Sequence, residues 1–473
     1  MATSHATAAE HTRATERLRE QYAAIPPGAP VRLAKRTSNL FRPRQPNGIP
    51  GLDVAALNRV IDVDPVGLTA RVQGMTTYEN LVDATLAHGC MPLVVPQLKT
   101  ITLGGAVTGL GIESSSFRNG LPHESVREIE VLTGSGEVVR ARREGEHADL
   151  FRTFPNSYGS LGYALSLEIE VEPVHPYVGL RHVPFSGLDK LVAAVDDVMS
   201  TRAFEGEPVD FIDGVVFSGE ESYLTLGRWA DFPGDAGSPR GRPSDYTGQQ
   251  IFYQSIRQHE RDLLTIRDYL WRWDTDWFWC SRAFAAQKPA VRRLWPKRYL
   301  RSDVYWKIVA LENRYHVKAR LDARKGLPPR ERVVQDVEIP VEQLEGFLDW
   351  FLREVPIEPI WLCPIELRHT TGASADGSPP WPLYPLTPGQ RYVNVGFWST
   401  VPMAPGARDG AVNREIERQV TAFGGHKSLY SDAFYDRATF DRLYGGMAYA
   451  PVKDRYDPGG RLPSLYDKAV RAR

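Results

Sequence analysis

Residues 96–120 of the chain read PQLKTITLGGAVTGLGIESSSFRNG. Four glycines, Gly104, Gly105, Gly109 and Gly111, fall within eight positions of this stretch. Because glycine has no side chain, the backbone can approach a ligand closely there, and successive N–H groups can surround an anion. The stretch therefore predicts a loop that binds the pyrophosphate of a nucleotide, with a tight structural turn as the alternative. Its spacing matches neither a P-loop nor the GxGxxG turn that opens a helix in a βαβ unit.

The length and composition indicate a globular protein of two domains, or of one domain with a large insertion. The 473 residues are 42% hydrophobic, which is ordinary for a protein with sizeable cores. A formal net charge of −1 gives no electrostatic basis for binding nucleic acid. The cysteines, Cys90, Cys280 and Cys363, are far apart and lack metal-ligand spacing, so we expect no metal site and a reducing compartment.

The N-terminal residues 1–20 are polar and lack the apolar core of a signal peptide. No apolar run in the sequence is long enough to span a bilayer. We therefore expect a cytoplasmic protein that touches the inner face of the membrane at most peripherally.

Short strands alternate with helices along the chain, which predicts an α+β fold. Residues 57–65 and 68–75 alternate apolar and polar side chains as strands do. Residues 77–90 have the spacing of an amphipathic helix. The segment VREIEVLTGSGEVVRA, residues 126–141, predicts a hairpin that turns at its GSG.

Two other stretches have a structural and a functional interpretation. In residues 31–44, VRLAKRTSNLFRPR, basic side chains surround a turn-forming TSN, and the segment is either a solvated loop or a second phosphate contact. In residues 269–284, YLWRWDTDWFWCSRAF, the aromatic side chains form either a core seam or an apolar surface toward a lipid chain or a membrane. These side chains are Trp271, Trp273, Trp277, Phe278 and Trp279.

Several motifs together carry a resemblance to a known family. Paired strands, a helix, VVP, the GGxxxGxG stretch, LTGSGEV, GSLG and a strand ending in EP resemble the FAD domain of the vanillyl-alcohol oxidase (PCMH-type) flavoproteins. Within that superfamily, TLGGAVTGLGIESSS, RVVQDVEIP, PIWLCPIELR, KSLYSDAFY and LPSLYDKAV resemble the Δ24-sterol reductase (Diminuto) family. The sequence departs from the eukaryotic members in lacking their hydrophobic N-terminal segment and in the Gly-, Pro- and Ser-rich residues 231–250.

The resemblance implies a domain organisation within the α+β fold. An N-terminal helix or extension would occupy residues 1–30, and a PCMH-type FAD-binding domain would follow over 31–178. A substrate or cap domain, an antiparallel sheet flanked by helices, would cover 179–410. Residues 411–473 would return to the FAD domain.

The cofactor implied by the resemblance is FAD. Flavins of this superfamily are often attached through His or Cys, but neither residue occurs in the basic loop or the glycine stretch, so we expect non-covalent FAD. The implied contacts are Arg36, Thr37, Ser38, Asn39, Thr102, Leu103, Gly104, Gly105, Thr108, Gly109, Gly111, Ile112, Glu113, Ser114, Ser115, Gly159, Ser160 and Gly162.

The implied reaction is reduction of a carbon–carbon double bond in a lipid. Reduced FAD would deliver hydride to one alkene carbon and an acid would protonate the other, which requires a proton donor in a site without water. The KSLYSD segment returns to the flavin in the resembled fold, so Tyr430, Lys427 and His426 are candidate acids. Glu113 is a further candidate. A hydrogen-bonding structural role is the alternative for Glu113, and a buried, satisfied hydroxyl is the alternative for Tyr430.

The resemblance leaves the substrate open. Bacterial relatives of the family are implicated in making methyl-branched fatty acids, and the Ala-rich, Arg-rich composition favours that branch. We therefore expect a methylene-branched acyl chain as substrate and NADPH or NADH as electron donor. The alternatives are a Δ24-sterol-type reductase, an alcohol oxidase or dehydrogenase, and a lipid-binding scaffold without flavin.

Overall fold

A computed structural model describes residues 5–35, 51–235, 241–315, 320, 324–368 and 379–470. Two mixed layers of antiparallel sheet and helix make up this part of the chain, so the predicted α+β class is confirmed. The aromatic segment that follows residue 250 packs in the same apolar core as the first sheet.

The first sheet has the strand order β1-β2-β6-β4-β5, and β3 pairs with the end of β6. All of these pairings are antiparallel. The strands are β1 Val60–Asp64, β2 Thr69–Gln73, β3 Cys90–Pro92, β4 Val126–Leu132, β5 Val138–Arg142 and β6 Tyr163–Pro173. The helices that accompany them are α1 Ala8–Ala23, α2 Tyr78–Leu86, α3 Leu103–Thr108, α4 Ser116–Asn119 and α5 Ala148–Thr153.

Helix α1 is fixed at both ends. Thr7 and Glu10 form a capping box at its start, which satisfies amides that a helix N-terminus leaves open. Near its end, the Tyr22 hydroxyl donates a 2.6 Å hydrogen bond to the Gly134 carbonyl in the turn of the predicted β4–β5 hairpin. The ring of Tyr22 occupies the space that a Cβ at Gly136 would need, and Gly136 has φ +90°. The GSG turn therefore serves both the hairpin and the docking of α1.

The second sheet has the strand order β12-β7-β11-β10-β14-β15-β13-β16, and β8 and β9 form a separate two-stranded ribbon. Its strands are β7 Tyr177–Phe185, β8 Ala203–Phe204, β9 Glu207–Pro208, β10 Phe211–Ser218, β11 Glu221–Ala230, β12 Arg261–Thr265, β13 Arg330–Pro340, β14 Ile360–Glu366, β15 Arg391–Pro402 and β16 His426–Lys427. The helices of this part of the chain are α6 Leu188–Thr201, α7 Phe252–Ser255, α8 Ile266–Leu270, α9 Pro289–Leu294, α10 Ser302–Tyr315, α11 Val341–Glu354 and α12 Ala411–Ala422.

Amphipathic helices cover one face of the second sheet. Helices α6, α11 and α12 contribute apolar side chains to one core with the sheet, among them Leu191, Phe347 and Ile416. The segment VVQDVEIPVEQLEGFLDWFL, residues 333–352, has the pattern of a strand followed by an amphipathic helix, and β13 and α11 form there. Cys363 is fully buried in β14, as the apolar run PIWLCPIELR predicts.

The aromatic tract 271–279 lies inside the protein. Trp271, Trp273, Trp277, Phe278 and Trp279 are all buried, at 1–6% exposure. Its interpretation as an exposed membrane surface is therefore wrong. Aromatic and polar residues alternate in this tract, and that pattern alone does not show whether the tract is exposed. Its polar residues can be buried because they have partners inside the protein.

The C-terminal segment contacts both sheets. Strand β16 extends the edge of the second sheet beside β13. The helices that follow are α13 Arg437–Leu443, α14 Gly446–Tyr456 and α15 Leu465–Ala469. They lie against the first layer, where Lys453 donates to the Ser160 carbonyl at 2.8 Å and Lys468 donates to the Gly159 carbonyl at 2.8 Å. None of the helices in the described ranges combines the length and apolar character of a bilayer span.

Candidate active site

A cavity of about 750 Å³ has walls from both layers. This volume is in the range of small-molecule and cofactor sites, roughly 300–1,000 Å³. One end is lined by the glycine stretch, by the turn around Gly159 and by basic side chains. The other end is lined by aromatic side chains and a carboxyl group: Trp277, Phe278, Trp361, Trp398, Tyr430 and Asp336.

The glycine stretch begins as a short helix and not as the loop expected from its sequence. Thr102 caps α3, because its Oγ1 accepts a 3.2 Å hydrogen bond from the Gly105 amide. Gly104 packs against the first sheet so closely that a Cβ would lie 2.7 Å from the Gly74 carbonyl oxygen. Glycine is a poor helix former, so this helix depends on its cap and on that close packing.

Beyond α3 the chain passes along the cavity wall. The N–H groups of Leu110, Gly111 and Ile112 donate no hydrogen bond to any described residue. A Cβ at Gly111 would lie 2.6 Å from Pro96 Cγ, so the backbone follows a path that only glycine allows. Such a run of amides is an anion-binding arrangement. The cationic side chains that line the same cavity are Arg32, Lys35 and Lys468. This end fits a pyrophosphate.

The structure brings about half of the predicted cofactor residues to the cavity. Those that line it are Thr102, Gly104, Gly105, Thr108, Gly109, Gly111, Ile112, Gly159 and Gly162. Leu103 and Ser160 are buried in the core beside it. Ser114 and Ser115 hydrogen-bond inside the protein, to the Tyr269 hydroxyl at 2.7 Å and to the Leu93 carbonyl at 2.8 Å. Arg36, Thr37, Ser38 and Asn39 lie outside the described residues.

The aromatic end has an unusual backbone. Trp277 and Phe278 are consecutive residues with φ +46° and +59°. Non-glycine residues in this region cost roughly 1–3 kcal/mol each and are concentrated at functional sites. The Phe278 ring lies 4.4 Å from that of Trp398 and is stacked at 4.8 Å on Trp273. The protein thus holds a strained turn to present an apolar wall.

Asp336 and Tyr430 form the polar group of this wall. The Tyr430 hydroxyl accepts a 2.8 Å hydrogen bond from Trp398 Nε1 and lies within hydrogen-bonding reach of the Asp336 carboxyl. Asp336 also accepts a 3.3 Å hydrogen bond from Asn394. Opposite Asp336 in the β13–β15 ladder lies Gly396, where a Cβ would be 2.5 Å from the carboxyl oxygen. The fold therefore makes room for a carboxyl group in an apolar wall.

The protonation of this pair follows from its surroundings. Burial raises the pKa of Asp336 to about 7, against the opposing hydrogen bonds from Asn394 and Tyr430. Burial, reinforced by Asp336, raises the pKa of Tyr430 well above its ordinary value. At neutral pH the carboxyl group is thus divided between its acid and its carboxylate, while the phenol keeps its proton. Asp336 was missed in the sequence, although its alternation with Glu338 in the apolar strand RVVQDVEIP was a visible signal.

Lys427 and His426 lie in the interior and do not line the cavity. The Lys427 ammonium donates to Glu417 Oε1 and to the Asp432 carbonyl, both at 2.6 Å. Burial lowers the pKa of His426 to about 3, so its ring is neutral. That ring lies 4.6 Å from Tyr384. Tyr430 is the KSLYSD candidate that reaches the cavity.

Glu113 belongs to a buried charge cluster behind the cavity wall. It accepts a 2.7 Å hydrogen bond from Arg272, whose guanidinium also donates to Asp213 at 2.9 Å. Asp213 in turn accepts from Trp361 Nε1 at 3.3 Å, and Trp361 lines the cavity. Burial raises the pKa of Glu113, and Arg272 opposes that shift. This arrangement supports the structural interpretation of Glu113. In the described residues, no three His, Cys, Asp or Glu side chains converge as metal ligands.

Comparison with known proteins agrees with this geometry. Residues 18–142 match the family model of the FAD binding domain, and the match includes the glycine stretch. Over 449 residues the chain is 26% identical to the Δ24-sterol reductase of Arabidopsis thaliana, covering 89% of this chain and 77% of that protein. The chain is an FAD-dependent oxidoreductase with a PCMH-type FAD-binding domain, and it is similar to the Δ24-sterol reductases over most of its length. The family resemblance and the enzyme class expected from the motifs are confirmed.

Other relatives of the flavoprotein extend the comparison. The human Δ24-sterol reductase is 25% identical over 421 residues, which cover 87% of this chain and 76% of the human protein. Cytokinin dehydrogenase 6 of Oryza sativa subsp. japonica is 29% identical over 143 residues, 30% of this chain and 27% of that protein. The similarity to the sterol reductases thus spans both layers, whereas the similarity to the dehydrogenase is shorter.

Proposed function

We propose that this flavoprotein reduces a carbon–carbon double bond in a lipid, and that its substrate is a methylene-branched fatty acyl chain, which becomes methyl-branched. NADPH or NADH is the proposed electron donor. The observation that carries the proposal is the aromatic end of the cavity, where an Asp336–Tyr430 pair is the polar group of an apolar wall. An isolated alkene needs that combination of an apolar surface and a proton source.

The residues present fit FAD at the glycine end of the cavity. The amides of Leu110, Gly111 and Ile112, together with Arg32 and Lys468 of the same cavity, would hold the pyrophosphate. When bound and reduced, FAD supplies the hydride that an alkene carbon receives. None of the described lining residues is His or Cys, and residues 36–50 contain neither, which supports the non-covalent attachment proposed here.

The chain's own contribution is to place the alkene and to deliver a proton. Trp277, Phe278 and Trp398 exclude water, which would otherwise capture a carbocation. The Tyr430 hydroxyl donates its proton to the terminal methylene carbon, and the Asp336 carboxyl returns a proton to the phenol oxygen. Protonation at that carbon develops positive charge on the tertiary carbon, which then receives the hydride. In sum, the alkene, NAD(P)H and one proton give the saturated branch and NAD(P)⁺.

A Δ24-sterol-type substrate is the second candidate, because the relatives over most of the chain are named sterol reductases. Its side-chain alkene would also protonate to a tertiary cation, so the same residues would serve. The methylene-branched chain is preferred because the Ala-rich, Arg-rich sequence favours a bacterial origin.

The deciding experiment mixes the anaerobically reduced protein with each lipid and records the return of flavin absorbance. We expect rapid reoxidation with a methylene-branched acyl chain and a methyl-branched product by mass spectrometry. Deletion of the gene should correspondingly remove methyl-branched chains and accumulate the methylene precursor. Reoxidation by the sterol alone would select the second candidate, and reoxidation by oxygen alone would indicate an oxidase.

A further inference from the structure

The segment from residue 282 to 310 is strongly basic. It contains eight Lys and Arg residues and a single acidic residue, Asp303. That carboxylate is paired within the segment, at 2.5 Å from Arg301 and 3.6 Å from Lys307. The basic side chains that are exposed to solvent are Arg282, Lys288, Arg293, Lys297, Arg298 and Lys307.

Much of this charge has no acidic partner in the part of the chain that the structure describes. Lys297 has an acidic partner outside the segment, Asp245, at 3.0 Å. Arg282, Lys288, Arg293 and Arg298 make no ion pair with any described residue. Since the whole chain has a formal net charge of only −1, this concentration of positive charge is a local feature.

Exposed apolar side chains lie among these charges. Leu294, at the end of α9, is 85% exposed, and Tyr299 is 43% exposed. Trp295 and Trp306 beside them are half-buried. A leucine in full contact with water next to basic side chains is what an interfacial membrane surface presents, since the apolar groups enter the acyl boundary while the cations meet headgroups.

The segment adjoins the cavity. Arg301 donates to Glu79 at 2.8 Å, and the Glu79 amide donates to the Lys99 carbonyl at 3.2 Å. Leu98 and Ile101, on either side of Lys99, line the cavity. The segment is therefore joined through Arg301 and Glu79 to a stretch of chain that lines the cavity.

We infer that residues 282–310 form a surface that docks on an anionic lipid bilayer. The charge attracts acidic headgroups, and Leu294 and Tyr299 insert at the boundary of the acyl region. Nucleic acid suits the surface less well, because it offers no apolar phase for an exposed leucine. The inference is independent of the proposed reaction, since docking requires no turnover.

The experiment is co-sedimentation of the purified full-length flavoprotein with vesicles of phosphatidylcholine, alone or mixed with phosphatidylglycerol. The test variant is K288Q/R293Q/R298Q, and a second variant is L294D. The matched control is R13Q/R17Q/R19Q, which removes the same charge from exposed positions on α1. Circular dichroism and flavin absorbance verify that each variant is folded.

We expect the parent and the control to sediment with the anionic vesicles and to be released by added salt. Each basic side chain near an anionic surface contributes about a factor of five, so the triple variant should lose roughly 100-fold in partition coefficient. L294D should also weaken binding. Equal binding of the triple variant and the control would overturn the inference. The inference would also be overturned if the parent protein stayed in the supernatant with both kinds of vesicle, whether or not it binds a labelled oligonucleotide.

Discussion

The substitution Asp336→Asn isolates the proton that the proposed reaction needs. Asparagine has nearly the same shape and can still accept hydrogen bonds from Asn394 and Tyr430, but it has no acidic proton. The carboxyl group that it replaces has a pKa raised by burial from an ordinary 3.8 to about 7. The variant should therefore change both the pH dependence of folding and the rate of alkene reduction.

The effect on folding has a definite sign. Because the folded state binds the Asp336 proton more tightly than the unfolded state, the parent gains stability from this group below pH 4 and loses it as pH rises from about 4 to about 7. The difference between the two pKa values corresponds to at most about 4 kcal/mol. The variant lacks this titration, so its stability relative to the parent should rise between pH 4 and pH 8.

The assay is urea unfolding of both proteins at several pH values. Asp349→Asn is the matched control, because Asp349 is an exposed carboxylate on α11. We expect the control to follow the parent at every pH. A stability difference between parent and Asp336→Asn that stays constant from pH 4 to pH 8 would refute the raised pKa.

The kinetic effect is measured separately, by stopped-flow reoxidation of the reduced flavin with lipid. General acid catalysis typically contributes about 10²–10⁴-fold, so the variant should be slower by roughly 10²-fold or more. The parent rate should fall as pH rises through about 7, where Asp336 loses its proton. The variant should lack that fall. An undiminished rate would assign the proton to another group.

Four other predictions follow from the site. Trichloroacetic acid should leave the flavin in the supernatant, and a yellow pellet would contradict non-covalent FAD. The variant Gly111→Val should purify with little bound FAD, as measured by flavin absorbance, while the control Gly219→Ala, at an open position, should keep its FAD. Full FAD content in both variants would mean that Gly111 serves only as a turn residue. Tyr430→Phe should slow reoxidation by lipid at least ~10-fold but not reduction by NAD(P)H; equal rates would make it a packing residue. Lys427→Met should lower the free energy of unfolding by about 3–5 kcal/mol, because Glu417 loses its buried partner; an active-site role would instead appear in the half-reaction rates.

The parts of the fold that were predictable are those with local signals. The β4–β5 hairpin follows from alternating side chains around a glycine turn, and α11 follows from its apolar periodicity. The helix within the glycine stretch was not predictable in this way. Its residues have poor helix propensity, and it forms because the Thr102 cap and the contact with Gly74 favour it.

The candidate site shows the same division. The glycine stretch is recognisable from its composition. Asp336 becomes a site residue only through contacts with Asn394 and Tyr430, which are distant in sequence. Lys427 was a candidate because it lies in the KSLYSD segment, which returns to the flavin in the resembled fold. Its partner, Glu417, is on helix α12, whereas Lys427 is on strand β16, and no local sequence pattern indicates that pairing.

The chain of contacts from Glu113 through Arg272 and Asp213 to Trp361 constrains how this enzyme can diversify. These contacts join the end of the glycine stretch to Trp361 in the aromatic wall of the cavity. A substitution at Trp361 therefore also removes a hydrogen-bond donor from the buried Asp213 carboxylate. A substitution at Trp361 would be tolerated only together with compensating substitutions among Glu113, Arg272 and Asp213. Phe278 packs against Trp361 at 5.3 Å, but its ring makes no hydrogen bond, so its substitution removes no donor from the Asp213 carboxylate. Natural or engineered changes of substrate range should therefore accumulate at Phe278 before they reach Trp361.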